Sequence, residues 1–232
     1  LEARRLFWCY GYMLEMNLAE DQLRWIYDAH AMPWDFIRDI SRHTWDESRH
    51  GDSGHSRLLD FGIDLSMVGY AYYNTSIPPN FEGPEQNETR VEPLTPTDLY
   101  EQIFGIGMIA ETGHFPVKRE AYDDFKAAGD LESAEMVLFD MIDETSHVQY
   151  AHKWLPTLAE KCGRDPEEFR TRGAEARRRH AEEAERKQAA YQALPRDPND
   201  PALRHYRGLI EIMRERQPMA PVKIGIRSYL PM

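Results

Sequence analysis

The sequence predicts an all-α fold: four helices in a bundle, a long crossover between the second and third, and additional C-terminal helices. Three observations predict it. Asp46-Glu47-Ser48-Arg49-His50 recurs as Asp143-Glu144-Thr145-Ser146-His147, each with a glutamate three residues before a histidine. On a helix that spacing puts both side chains on one face, one turn apart. A lone glutamate precedes each motif at nearly equal distance, Glu15 by 32 residues and Glu111 by 33. Apolar residues around all four positions recur at steps of three and four, the helical period. A single Glu-x-x-His means little, since both residues are ordinary on helix surfaces. Two copies, each preceded by Asp and each matched to an upstream Glu, make the donor set that holds two metal ions inside a helical bundle.

With these motifs the chain resembles the ferritin-like di-metal carboxylate superfamily, over about residues 4–162. That superfamily includes ferritins, rubrerythrins, ribonucleotide reductase radical subunits, multicomponent monooxygenase hydroxylases and di-iron N-oxygenases. The resemblance implies six metal ligands: Glu15, Glu47, His50, Glu111, Glu144 and His147. It also implies that Asp46 and Asp143 each accept a hydrogen bond from a ligand histidine. The radical tyrosine of a reductase subunit would fall one turn after His50, where this chain has Gly54, which speaks against that branch.

The chain has 232 residues, enough for one domain with a sizeable core and an appendage. We divide it into 1–163, the di-metal bundle, and 164–232, a C-terminal helical extension and tail packed on the bundle or on a partner subunit. A net charge of −12 argues against nucleic acid or an anionic membrane as main partner. Cys9 and Cys162 are too few for a disulfide framework and lack metal-type spacing, so a reducing cytoplasm is expected. No apolar run approaches the roughly 18 residues of a membrane span.

The first helix is expected over 4–30, where Trp8, Tyr12, Glu15, Ala19, Gln22 and Ile26 share a stripe. Glu20 is the competing ligand, but it neighbours Asp21 and Arg24 on a wetter face, which favours Glu15. Pro33 fits the first turn of the second helix. Phe36, Ile40, His43, Glu47, His50 and Gly54 then follow one face. His43 reads as a hydrogen-bonded core histidine, with a seventh ligand as the alternative. Gly51 and Gly54 either open volume beside the metals or weaken the helix end.

Residues 60–95 read as the crossover, rich in Pro and Gly after an aromatic start. Tyr70, Tyr72 and Tyr73 would line a substrate entrance or pack the crossover on the bundle. From His50 to Glu111 is 61 residues, closer to the oxygenases of the superfamily than to the ferritins. Thr95-Pro96-Thr97-Asp98 starts the third helix with a cap, a proline and an acid. Tyr100, Phe104, Gly107, Met108 and Glu111 follow at helical spacing, and His114 is a further candidate ligand. Pro116 is expected to perturb this helix. Gly107 would leave a gap over the metals.

Gly129-Asp130 breaks and caps the chain before the fourth helix, whose inner stripe is Val137, Met141, Glu144, Val148, Ala151 and Leu155. Asp140 and His152 fall to one side of that stripe, His152 as a structural residue, and Pro156 should kink the end. Residues 165–194 read as a solvated helix, 197–201 as a linker and 202–216 as a last short helix before an apolar tail.

Glutamate and histidine donors without thiolates suit iron or manganese, so the expected cofactor is two Fe ions, or Mn or a mixed Mn/Fe pair. The expected activity is an oxidase or oxygenase using O2 on a small organic substrate, with an electron-donor protein and a homodimer as partners. Trp8, Tyr12, Phe104, Gly107 and Met108 would line its pocket. The alternatives are a ferroxidase or rubrerythrin-like peroxide-reducing protein, and a non-enzymatic metal-binding bundle.

Overall fold

Each helix begins where the local chemistry allows it. A computed structural model describes residues 2–29, 31–63, 93–193 and Glu211, and all regular structure among them is helical. The elements are α1 (Glu2–Leu14), α2 (Met16–Asp28), α3 (Trp34–Asp60), α4 (Pro96–Ile103), a π-helical segment (Phe104–Ala110), α5 (Glu111–Ala127), α6 (Leu131–Lys161) and α7 (Glu168–Ala193).

Pro33 occupies the N-cap of α3, one residue earlier than the sequence placed it. Thr95 forms a capping box with Asp98: its hydroxyl accepts from the Asp98 amide and the Asp98 carboxylate accepts from the Thr95 amide. Gly129, at φ +76°, reverses the chain, and the Asp130 carboxylate caps α6 by accepting from Ser133 N. Pro116 and Pro156 both sit inside helices that continue past them, to Ala127 and Lys161.

Two irregularities lie at the lone glutamates. The first helix is interrupted at Glu15, whose amide bonds Tyr12 O three residues back rather than four. The third helix is uninterrupted from Pro96 to Ala127, but it widens into π-helix for the turns before Glu111. Single π-turns inside α-helices recur at functional sites because they re-aim the side chains that follow.

α1 and α2 pack along α3, α4 and α5 pack along α6, and α3 and α6 pack on each other at the centre. The main core joins Trp25, Phe36, Ile40, Tyr100, Phe104, Trp154, Leu155 and Leu158. A smaller one joins Tyr12, Phe125 and Val137 at the other end. α7 lies against the π segment through Gly173, beside Met108, and through Arg177, which donates to Met108 O at 2.9 Å, and it buries Phe169 in the main core.

The glycines do not open volume. A Cβ on Gly54 would run into the Cys9 carbonyl and Met13 amide of α1, and one on Gly51 into the Met16 side chain. α3 also continues beyond both, so they let α1 and α2 approach rather than end the helix. Gly107 likewise abuts Ala151 of α6.

Tyr70, Tyr72 and Tyr73, most of the crossover, the linker, the last short helix except Glu211, and the tail lie outside the described residues. None of the helices described is long and apolar enough to cross a membrane.

Candidate metal centre

Glu47 and His50 from α3 and Glu144 and His147 from α6 face each other at the centre of the packing, all buried. Glu111 joins them from the start of α5 and Glu15 from the α1–α2 break. The six residues that the sequence singled out therefore meet in one place. Joined by His43 and Asp140, they form two groups that could each hold a metal ion: His43, Glu47, Glu111 and His147, and Glu15, His50, Asp140 and Glu144.

In the first group His43 Nε2 lies 3.0 Å from Glu47 Oε1 and 3.3 Å from Glu111 Oε1. His147 Nδ1 lies 3.2 Å from Glu47 Oε1 and 3.4 Å from Glu144 Oε2. The His43 and His147 rings stack with centroids 3.6 Å apart. In the second group His50 Nδ1 lies 3.0 Å from Glu15 Oε2, 3.3 Å from Asp140 Oδ1 and 3.7 Å from Glu47 Oε2. Glu47 and Glu144 each turn one oxygen toward either group, as carboxylates shared between two ions do.

The motif aspartates cross over. His50 Nε2 pairs with Asp143 of the other motif at 3.2 Å, and His147 Nε2 faces Asp46 at 3.5 Å. Both imidazoles turn Nδ1 into the centre and Nε2 toward an aspartate, and His50 is hydrogen-bonded there. Arg49 binds both aspartates at once, Asp143 at 2.6 Å and Asp46 beside it, and Arg42 Nε donates to Asp46 at 3.0 Å.

Charge placement shapes the protonation of the set. Burial pushes Glu15 up to about 8, partly offset by Lys118 and His50, although a quarter of its side chain (23%) remains exposed. Glu47 shows the reverse: burial would raise it, but the imidazoles of His43 and His50 beside it hold it at about 2. Burial opposes charge on His50 and His147 too, yet their carboxylate partners raise both well above the ordinary histidine value.

Whether a metal fits can be judged from the atoms left over. Glu15 Oε2, His43 Nε2, Glu47 Oε1, His50 Nδ1, Glu111 Oε1, Glu144 Oε2 and both nitrogens of His147 are shielded from solvent and lack a hydrogen-bond partner. Their mutual distances are short, but their angles are wrong for hydrogen bonding. Buried polar atoms are normally satisfied, because an orphan costs about 1–3 kcal/mol. Donor atoms that point at a common centre instead of at each other fit a cation between them.

Several residues differ from their sequence assignments. His43 is a member of the first group rather than a core histidine with a satisfied ring. Asp140, set to one side by the helical stripe, is buried and belongs to the second group, with Tyr12 Oη donating to it at 2.7 Å. The signal was present: His43 stands four residues before Glu47, and Asp140 four before Glu144, so the repeat is longer by one turn. Lys118 and Arg49 were not singled out. Lys118 follows Glu111 by seven residues, two turns along the same face. Its Nζ donates to Asp140 Oδ1 at 2.8 Å and to Glu144. His114 is exposed yet within reach of Glu111 and Glu144. His152 packs edge-on against Phe169, as a structural residue should.

A small cavity adjoins the first group, lined by Trp25, Ile40, His43, Ile103, Ile106, Gly107, His147, Tyr150 and Ala151. It has space for about one water-sized molecule. Of the residues expected to line a pocket, Gly107 does. Phe104 and Met108 face α7 instead, under Arg172 and beside Gly173, because the π-turn places Ile103, Ile106 and Gly107 against α6. Trp8 meets Tyr12 within α1 at a tilt, ring centroids 5.8 Å apart.

Compared with protein-family models, curated proteins and solved structures, the chain matches none of them.

Proposed function

We propose that this protein is a di-metal carboxylate oxidoreductase. Its ferritin-like four-helix bundle would comprise α1–α2, α3, α4–π–α5 and α6, and would hold two iron ions, manganese or a mixed pair. The reaction is O2-dependent oxidation of a small organic substrate. The observation that carries this reading is the convergence of orphaned donor atoms from seven buried or partly buried residues. Imidazole and carboxylate donors without thiolate suit these metals. Bound there, two such ions supply the electrons for reduction of O2.

The chain's own residues do the rest. Arg49 fixes Asp46 and Asp143; Asp143 holds His50 and Asp46 faces His147, both with Nδ1 inward. Tyr12 holds a proton at Asp140. Trp25, Ile40, Ile103 and Ile106 give the cavity beside His43 and His147 an apolar lining, with space for about one water-sized molecule.

The same cavity favours a second reading. Space for a single small molecule suits O2, hydrogen peroxide or a ferrous ion as the whole substrate, hence a ferroxidase or peroxide-reducing protein. Oxygen and peroxide consumption by the Fe(II)-loaded protein, with and without candidate organic substrates, separates the two. An oxygenase needs the organic substrate and an electron-donor protein for sustained turnover, and it runs as a small homo-oligomer rather than a cage. Glu144→Ala and His147→Ala should abolish oxygen consumption while sparing helix content by circular dichroism. Consumption at the parent's rate in either variant would refute the assignment.

A further inference from the structure

Lys118 is 2% exposed and has no place in the donor set just described, yet it sits inside it. Its Nζ is 2.7 Å from Asp140 Oδ2, bonded to Glu144 Oε1 and 3.9 Å from Glu15 Oε1. It thus touches all three carboxylates of the second group. Among the described residues, the ion pairs of Glu47 and Glu111 in the first group are with histidines.

The charge count follows the same division. Two carboxylates of the first group match one divalent cation. The second group has three, and the Lys118 ammonium already lies among them. A metal bound at about 2.0–2.2 Å would need oxygens that the ammonium now holds, and two neighbouring cations repel.

We infer that Lys118 is the resident cation of the second donor group, so that the two groups take up metal unequally. The first group fills tightly, and the second fills only as Lys118 gives up hydrogen bonds to Asp140 and Glu144. This rests on the metal-centre reading above and assigns Lys118 the role of setting second-site affinity.

The test is Mn(II) binding to the full chain at equilibrium, with free Mn(II) read by electron paramagnetic resonance. The parent should bind one Mn(II) tightly and a second at least about tenfold more weakly. Lys118→Met removes the charge at similar length and should tighten the second site by about tenfold or more. Lys118→Gln, which keeps a hydrogen-bond donor for the buried carboxylates, should do the same if the methionine variant folds poorly. Lys118→Arg keeps the charge and should preserve the inequality. Two equal sites in the parent, or an unchanged second site in Lys118→Met and Lys118→Gln, would overturn the inference and leave the metal centre standing. A parent that binds no Mn(II) would instead overturn the metal centre, and the inference with it.

Discussion

The protein buries two clusters of charged side chains, and they are satisfied in opposite ways. At one end of α3, Arg57 donates to Asp130 at 3.0 Å, Ser133 Oγ at 3.2 Å, Asp60 at 2.9 Å and Glu132 at 3.0 Å, with its plane over Phe61. Arg5 Nε forms an ion pair with Asp130 at 2.8 Å without hydrogen-bond geometry, and Ser133 Oγ donates to the same carboxylate at 2.9 Å. Arg57, Asp130 and Ser133 have partners throughout. Two turns away along α3, Glu47 and His50 lie among carboxylates and imidazoles whose inward atoms have none. Burial of charge is common to both, so burial alone distinguishes nothing. Satisfaction does: Arg57, Asp130 and Ser133 are complete as protein, whereas the inward atoms of the Glu47 cluster are left over and could hold a cation.

The comparison can be broken from either side. The largest effect on the metal side is expected from Glu47→Ala combined with Glu144→Ala, which removes both carboxylates that face the two groups. Metal binding should fall to background while helix content survives. On the other side, Arg57→Met should leave the buried Asp130 with Arg5 and Ser133 as its remaining partners, at a cost of up to about 3–5 kcal/mol. Urea unfolding should register that loss, while metal stoichiometry of the folded fraction stays at the parent's value. A large change in metal stoichiometry would mean that the two clusters are not independent.

A smaller effect is expected from Arg49→Leu, which takes the bridging partner from Asp46 and Asp143, leaving Arg42 on Asp46, without touching any donor of the centre. Loss of such orienting partners typically weakens metal affinity by about 10–100-fold. Competition with a chelator would measure it, and an affinity within twofold of the parent would show that the crossed aspartates do not orient His50 and His147.

The smallest effect is a pH dependence, and it sharpens the contrast because it should be present only without metal. Glu15 is raised from 4.5 to about 8 in the folded chain, so the folded state binds more protons in that window and stability falls as pH rises through it. His50 and His147 are raised well above 6.5, so their contribution, full below 6.5, is also lost as pH rises. Glu47, lowered from 4.5 to about 2, acts on the acid side: its contribution is present above 4.5 and lost as pH falls toward 2. The metal-free protein should therefore melt highest between about 4.5 and 6.5. Saturating metal should flatten the alkaline limb. A melting temperature of the metal-free protein that climbs from pH 6.5 to 8.5 would contradict these shifts.

Much of this was legible in the sequence, for definite reasons. Helix starts at Thr95 and Asp130 are local chemistry, written in a few residues each. The motif pairs Glu47–His50 and Glu144–His147 were legible because i, i+3 spacing fixes their common face on any helix. Asp140 was not, because an idealised stripe drawn through Val137, Met141 and Glu144 excluded it. The real centre receives side chains from four directions and so accepts a wider arc of α6. Phe104 and Met108 were misplaced because a π-turn changes the angular register, and nothing in Phe104–Ala110 announces one. Lys118 was invisible for a different reason: a lysine on a helix is normally a solvated residue, and only tertiary contact shows this one turned inward.

The most direct measurement is a count of metal per chain after equilibrium dialysis against excess Fe(II) under anaerobic conditions, for the parent and for the Glu47→Ala, Glu144→Ala variant. About two ions per parent chain, and background in the variant at unchanged helix content, is the outcome expected if the orphaned donors exist to hold cations. A parent that retains no metal, or a variant that retains as much as the parent, would contradict it and return the cluster to the same structural role as Arg57 and Asp130.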